Sequence, residues 1–537
     1  MALAQTRMKW LQRLFSTSHQ TNSISGGLAL QYDNHFSTDE QGIRTLCVPA
    51  QICLPLIDYY RRPLAPLVRA GQSIVRGEAV AQGVLASASG RIIAIEERSI
   101  IHPSGYSAPC VVIETDAHVS DNTHSNPTEK DSSANHHSAN ESALYEPQAK
   151  LTTERLALCG VSGLGGAGFS TASKFNAAFS GEQTIKILLI NAVECEPVIS
   201  CDEALVIEQA ADIVKAIDAL ISMTGCAHCI VAIENDKHTA VAALQQALSI
   251  HPVPVELRQL TPVYPSGAER ALIKCVTGVE LSGDQRPVER GIVCINIATA
   301  LAAHRAQLGL PLTSRIVTIA GDAASHCINV RVNFGTSIKE VLKQTGNNHA
   351  LLNHRVRVGG PLSGFDLHDL DVPVSATTNC ITIEQPYQPP VTQPCIRCGE
   401  CSEVCPAQLL PQQLYRYADE NNSEQLRRFG LSECIECGCC DVVCPSSIPL
   451  TQTFRYARDQ LREQTLQQDL AAEAVKRYEQ REVRLQQRHL AREEKRRLAK
   501  ARLTDKQEPI ADALARARQR RKPRGGRQSV NRDKPQS

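Results

Sequence analysis

Between residues 151 and 312, strand-length apolar runs (IKILLINAV, CIVAIEN, VPVELRQL and GIVCINIA) alternate with stretches of helical periodicity such as LVIEQAADIVKAIDALISM and HTAVAALQQALSI. This alternation predicts a largely parallel sheet with helices on both faces, a Rossmann-like α/β unit. Upstream, residues 44–116 carry short β-rich runs (LCVPAQICLPL, GQSIVRGEAVAQG, GRIIAIEE, PCVVIETD) broken by Gly and Pro, which predict a small all-β unit with tight turns. Residues 118–150 lack apolar periodicity and are rich in Ser, Asn and His, the composition of a disordered linker. Residues 313–352 read strand, turn, strand, helix, a small α+β unit. After Pro449 a highly charged helix is expected from residue 450 to about 503, and then a tail.

A chain of 537 residues exceeds one core, since domains usually hold about 100–200 residues, so several modules are expected. The formal net charge of +1 argues against whole-chain attraction to nucleic acid or an anionic membrane and leaves room for local patches. One such patch is the tail: residues 511–537 hold nine basic and two acidic residues. Without aromatic interleaving or a nucleic-acid fold, it suits a membrane face, an acidic partner or plain disorder, and no nucleic acid is expected. The beginning, MALAQTRMKWLQRLFSTS, lacks the apolar core of a signal peptide. The run IVCINIATALAA falls short of the roughly 20 residues of a spanning helix. Of 21 cysteines, nine fall into two compact runs and twelve are scattered, which fits a reducing, cytoplasmic compartment better than a disulfide framework.

Those two runs, CIRCGECSEVCP and CIECGCCDVVCP, share the spacing C-x-x-C-x-x-C-x-x-x-C-P. They set Cys395, Cys398, Cys401 and Cys405 against Cys434, Cys437, Cys440 and Cys444. In this spacing three cysteines wrap three corners of a cubane and the fourth reaches the neighbouring cluster. Two [4Fe-4S] clusters with crossed ligation are expected: Cys395, Cys398, Cys401 and Cys444 on one, Cys434, Cys437, Cys440 and Cys405 on the other. Structural zinc wants four ligands from two pairs, not two triplets with offset fourths. Cys439 could replace Cys440 by a register slip, but only Cys440 keeps the two-residue spacers.

The glycine-rich GVSGLGGAGFSTASK could cradle a phosphate at a helix N-terminus, with Lys174 as counter-charge. It precedes its strand, so it is not a conventional dinucleotide fingerprint. Downstream, NAVECEPVISCDE, YPSGAERAL and GIVCINIATA each fall at a strand end or a helix start. Such ends converge on one crevice in an open α/β sheet.

The glycine loop, the Asn-x-x-Glu-Cys-Glu-Pro segment, YPSGAERAL and the Asn-x-x-Thr segment together resemble the flavin- and NADH-binding fold of the respiratory complex I flavoprotein subunit. PLVRAGQSIVRGEAVAQG and SASGRIIAI resemble the halves of a lipoyl-type barrel-sandwich, with no lysine for lipoyl attachment. With the paired cysteine runs behind them, the order is similar to the RnfC (RsxC) family of the Rnf ion-translocating electron transport complex. That resemblance implies a multidomain α/β chain: an N-terminal segment over 1–25, a barrel-sandwich-like β domain over 26–117, the linker over 118–150 and an FMN/NADH-binding domain over 151–312. A ubiquitin-like (SLBB-type) α+β domain over 313–375, a helical two-cluster ferredoxin domain over 376–460 and a charged helix with basic tail over 461–537 complete it.

The resemblance further implies a noncovalent FMN. Gly163, Gly165, Gly166 and Lys174 would hold its phosphate, Asn191, Glu194 and Asn296 would contact ring and ribitol, and Tyr264 and Gly267 would line the pocket. Glu196 and Glu269 would lie on the nicotinamide side, with Phe169 as a stacking ring, and no side chain need act as acid or base. Where the family usually has proline after the Gly-Phe of the loop, this chain has Ser170. The implied function is an electron-entry subunit passing electrons between NAD(H) and the complex. It would sit peripherally on the cytoplasmic face of a bacterial inner membrane and dock to ferredoxin-like and integral membrane subunits. The alternatives are a soluble diaphorase subunit of a hydrogenase or formate dehydrogenase, and a non-catalytic iron–sulfur scaffold.

Overall fold

The computed structural model describes residues 24–30, 42–116, 150–181, 184–281, 283, 285–388 and 390–520. The expected linker over 118–150, except Lys150, the N-terminal segment before residue 24 and the tail beyond 520 lie outside the described residues. The chain forms two compact units, Met1–Arg458 and Asp459–Ser537.

In the first unit, the four strand-like runs of the α/β region become Ile187–Ala192, His228–Glu234, Glu256–Leu260 and Ile292–Asn296. All neighbours are parallel, and the spatial order is third, second, first, fourth. Helices Cys201–Thr224, His238–Ile250 and Glu269–Thr277 cross over between successive strands, and Ile297–Gln307 follows the last. Because strand side chains alternate faces, Leu188, Ile190, Val231, Val293 and Ile295 join Ile213 and Ile217 of the first crossover in one core. Leu189, Ile230, Ala232, Ile292 and Cys294 point to the other face. That second face is covered by Leu272, Ile273 and Val276 and, beside them, by Tyr264, Leu362 and Cys439. A residue of the second cysteine run is thus part of the α/β core.

The β-rich region forms a four-stranded sheet in the order Gln51–Pro55, Ser107–Thr115, Gly90–Ser99, Ser73–Ile74, with Ala79–Ala81 and Val84–Leu85 paired beside it. Ile52, Leu54, Ile92, Val111 and Ile113 fill its interior. The expected α+β unit is a six-stranded mixed sheet. Its central pair, Ser314–Ala320 and Cys380–Glu384, runs parallel. Cys380–Glu384 lies beyond the boundary expected at residue 375 and is wholly buried. Its CITIE sequence contributes Ile381 and Ile383 to the core of Val317, Val330 and Val341. An edge strand, Arg44–Thr45, comes from before the barrel and pairs parallel with Ile328–Asn333. Neither arrangement follows from local pattern, since both pairings join segments far apart in sequence.

The helix Leu450–Arg520 supplies all of the described part of the second unit. It outruns the expected end near residue 503, because ADALARARQR is dense in strong helix formers. Among its described residues from Arg462 to Arg502, all are exposed except Glu482.

Candidate functional site

The reversal of strand order leaves a crevice beyond the carboxyl ends of Ile187–Ala192 and Ile292–Asn296, where open α/β sheets bind ligands. Asn296 ends its strand, Asn191 is the last but one of the other, and the two stand opposite each other in register. Asn191 Nδ2 donates to the Gly267 carbonyl at 2.9 Å, and its Oδ1 accepts from Val193 N–H at 3.0 Å. Asn296 caps the helix Ile297–Gln307, its Oδ1 accepting from Ala298 N–H at 2.9 Å, and donates to Asp202 at 2.5 Å. A short polar side chain at a strand-to-helix junction satisfies helix N–H groups that otherwise lack partners.

The glycine loop closes on itself: Gly163 N–H donates to Phe169 O at 2.8 Å and Gly168 N–H to Gly163 O at 3.1 Å. Leu164 N–H donates to Thr299 Oγ1 at 2.9 Å, which fastens the loop over the crevice. A Cβ on Gly165 would stand 3.1 Å from the Asn296 Cβ, whereas Gly166, at φ +97°, faces open space among the described residues. The loop backbone therefore presents itself without side chains at the strand ends. Ser170, in place of the family's usual proline, caps the helix Thr171–Phe179 by accepting from Ser173 N–H at 3.3 Å. Lys174 Nζ donates to Glu269 Oε1 and to the Cys294 carbonyl, each at 2.6 Å. Glu269 raises the lysine pKa despite its burial.

Gly165 thus lies beside Asn296, Lys174 pairs with Glu269 and Asn191 with Gly267, at the strand ends and the loop next to them. The remaining expected residues have other immediate partners. Glu194 accepts from Asp202 and Glu203 N–H at 3.1 and 3.2 Å, at the start of the helix Cys201–Thr224. Burial and the Asp202 charge push its carboxyl pKa up. Glu234, whose Oε2 accepts from Glu194 N–H at 3.1 Å, is pushed up to about 7 by burial. Glu196 accepts from Leu362 and Ser363 N–H at 2.8 and 3.0 Å and so anchors the GGPLSG turn. Tyr264 is buried, and its hydroxyl donates to the Cys437 carbonyl at 2.5 Å. Phe169 meets the ring of Tyr59 edge-on, with centroids 5.1 Å apart. Tyr59 and Asp202 were missed by sequence reasoning, whereas Thr299 is the threonine of the quoted Asn-x-x-Thr segment. Asp202 lies within the quoted NAVECEPVISCDE, but nothing in the β-rich pattern marks Tyr59.

Two cavities lie between the cysteine runs. Cys395, Cys398, Cys401 and Cys444 line one, together with Gln412 and Tyr415. Cys405, Cys434, Cys437 and Cys440 line another, to which Cys439 also contributes. The first combines three cysteines of one run with the fourth of the other, and the second does the same with Cys439 in addition. The backbone repeats too: the left-handed residues Arg397, Gly399 and Gln408 recur as Glu436, Gly438 and Ser447. Gly438 is required by space as well as by φ, because a Cβ there would meet the Leu362 carbonyl at 2.5 Å. Leu409 and Glu436 N–H groups donate to Cys405 and Cys434 sulfurs, each at 3.4 Å. N–H···S bonds of this kind tune a bound cluster.

Family models match three stretches: the Nuo51 FMN-binding domain over residues 156–305, the RnfC barrel sandwich hybrid domain over 22–118 and a 4Fe-4S dicluster domain over 391–463. A barrel-sandwich, an FMN-binding domain and a dicluster domain in one chain define an iron–sulfur flavoprotein class of redox subunit. Relatives named as the C subunit of an ion-translocating oxidoreductase complex are 38% identical in Pseudomonas aeruginosa, covering 89% of this chain and 60% of that protein, and 36% identical in Edwardsiella ictaluri, covering 89% and 59%. One from Yersinia pestis is 35% identical, with 88% of this chain and 74% of that protein covered. The chain belongs to this RnfC family, although it spans only about three fifths of the first two relatives. Among solved structures, a chain of an NAD+-reducing [NiFe]-hydrogenase is 16% identical, with 58% of this chain and 62% of that chain covered at a TM-score of 0.42.

Proposed function

We propose that the chain is the electron-entry subunit of a membrane-bound ion-translocating complex, exchanging electrons between NAD(H) and the complex through noncovalent FMN and two [4Fe-4S] clusters. The observation that carries this reading is the pair of four-cysteine cavities, one of which packs against the α/β sheet whose strand ends form the crevice. Four cysteines around the first cavity and five around the second are enough for the four-thiolate donor set of a cubane at each. The side-chain-free loop at Gly165 and Gly166 beside Asn296 fits a phosphate-bearing ligand.

In this reading Gly163, Gly165 and Gly166 bind the phosphate through the loop backbone, and Lys174 supplies positive charge, held in place by Glu269 and the Cys294 carbonyl. Asn191 and Asn296 orient the ring and ribitol from the two strand ends, and Gly267 keeps the wall close enough for Asn191 to bond it. Glu194 acts with them through Asp202, which Asn296 contacts directly. Glu196 and Tyr264 shape the wall between crevice and inner cavity, while Phe169, braced by Tyr59, offers a ring face at the loop edge. Bound in this crevice, FMN supplies the conversion between two-electron hydride chemistry and the single electrons that iron–sulfur clusters carry.

We read the mixed sheet as the ubiquitin-like module of the family. The partners are the ferredoxin-like and integral membrane subunits of the complex, at the cytoplasmic face of a bacterial inner membrane. Among the described residues no helix is long and apolar enough to cross a membrane, which is compatible with peripheral attachment. The test is a visible spectrum of anaerobically purified protein. Near-stoichiometric FMN bleached by NADH, with about eight irons per chain, is the expected result. Intact clusters with no flavin and no response to NADH would overturn the reading.

A further inference from the structure

The described part of the second unit has no core of its own, and its charges are not scattered evenly. At about 100° per residue, Arg477, Arg481, Arg484, Arg488, Arg492 and Lys495 of the helix Leu450–Arg520 fall within about 60° of a single line along its axis. Arg502 continues the line. The acidic residues of this stretch, Glu479, Glu482, Glu493 and Glu494, all lie about 100° or more away from it. All seven cations are exposed. Arg477 pairs with Glu473 at 3.1 Å, which closes the N-terminal end of the stripe. From Arg477 to Arg502 the stripe runs roughly 37 Å at 1.5 Å per residue, without drifting around the helix.

We propose that this stripe is a docking surface for a plane of anionic lipid headgroups. A straight row of like charges is costly for a helix alone, because neighbours at i+3 and i+4 repel. It becomes favourable against an opposite charge that meets all of them at once. A flat anionic surface does so along the whole length, whereas the backbone of a nucleic-acid duplex curves away from a straight rod. The stripe also lacks the continuous apolar seam that would mark a coiled-coil partner: Gln480, Ala491, Leu498 and Ala499 are its other members. Attachment of this kind is electrostatic and reversible, and it does not depend on the redox reading of the first unit.

The test uses the full chain and co-sedimentation with vesicles of phosphatidylcholine, alone or with about one third phosphatidylglycerol. Binding to the anionic vesicles alone is expected, abolished at 1 M salt, where the screening length is about 3 Å. Reversing Arg481, Arg484, Arg488 and Arg492 to Glu should weaken binding by about a hundredfold or more. Reversing Lys476, Arg496, Arg497 and Lys500, off the stripe and equal in charge change, should weaken it less than about tenfold. Gln at the four stripe positions should preserve helical circular dichroism and give the same ordering. Equal losses from the two sets, binding to neutral vesicles, or tighter binding to a short RNA or to polyglutamate would each overturn the proposal.

Discussion

The two cysteine cavities have the same spacing, repeated thirty-nine residues apart, and the same left-handed backbone positions, yet they differ in surroundings. At the first, Cys395 and Cys398 are exposed, as are Arg397 and Ile396. At the second, Glu436 takes the place of Arg397 and is held by Arg455 and Arg458 at 2.9 and 2.7 Å. Tyr264 reaches the Cys437 carbonyl, and Cys439 is fully buried against the α/β sheet. Residues 26–28 complete this inner wall: Gly27 N–H donates to Val404 O at 2.9 Å and Leu28 N–H to Tyr264 O at 2.7 Å. The motif therefore sets the shape of each cavity, and the neighbours decide which one packs against the α/β sheet and which lies exposed.

The largest expected effect tests the crossing. Cys405→Ser should deplete the inner cluster, giving the same paramagnetic spectrum as Cys434→Ser, and Cys444→Ser should match Cys395→Ser, each losing about half the iron. If instead Cys405→Ser matches Cys395→Ser, each run holds its own cluster and the comparison fails. Next comes the register. Cys440→Ser should remove the inner cluster, while Cys439→Ser should keep both and show its cost in thermal stability, because it puts a hydroxyl into an apolar core. Loss of a cluster from Cys439→Ser alone would reverse the register.

A pH series separates the α/β support of the inner cavity from the outer cavity. Burial raises the Glu234 carboxyl from its ordinary value of 4.5 to about 7, so the folded state holds this proton more tightly than the unfolded chain. Its contribution is full below pH 4.5 and is lost as pH rises to about 7, at most about 3 kcal/mol. Glu194, raised for the same reason, acts in the same direction. Glu234→Gln should flatten the fall in melting temperature across that window, and an unchanged slope would remove Glu234 as its source. The smallest effect is that of Tyr264→Phe. It deletes the hydroxyl bond to the Cys437 carbonyl, should cost about 1 kcal/mol, and should shift the reduction potential of the inner cluster while leaving the outer one unchanged. Equal shifts in both would mean that Tyr264 does not distinguish them.

Much of this organisation was legible because it is local. HTAVAALQQALSI became the helix His238–Ile250 residue for residue, since one amphipathic stripe fixes its length and face. The cysteine spacing is local as well, and the eight expected ligands line two cavities in the crossed sets it predicted. The glycine loop and the two asparagines could be recognised as pieces, but that Asn191 and Asn296 stand opposite one another depends on strand order. Glu196 was legible only as part of a motif: its carboxylate accepts from Leu362 and Ser363, more than 160 residues away, a contact that no local pattern marks.

By itself, then, the sequence determined the element types, the repeated cysteine spacing and the loop that needs glycine, because each follows from periodicity, spacing or a single φ. Tertiary structure alone decided that Cys380–Glu384 is the centre of a sheet that the local pattern ended earlier, and that Arg44–Thr45 is its edge. It also decided that Tyr59 of the barrel meets Phe169 and that the second cavity is the inner one. Each of these joins segments distant in the chain, and such pairings are chosen by which buried faces and unpaired backbone groups complement one another, which no stretch of sequence records alone.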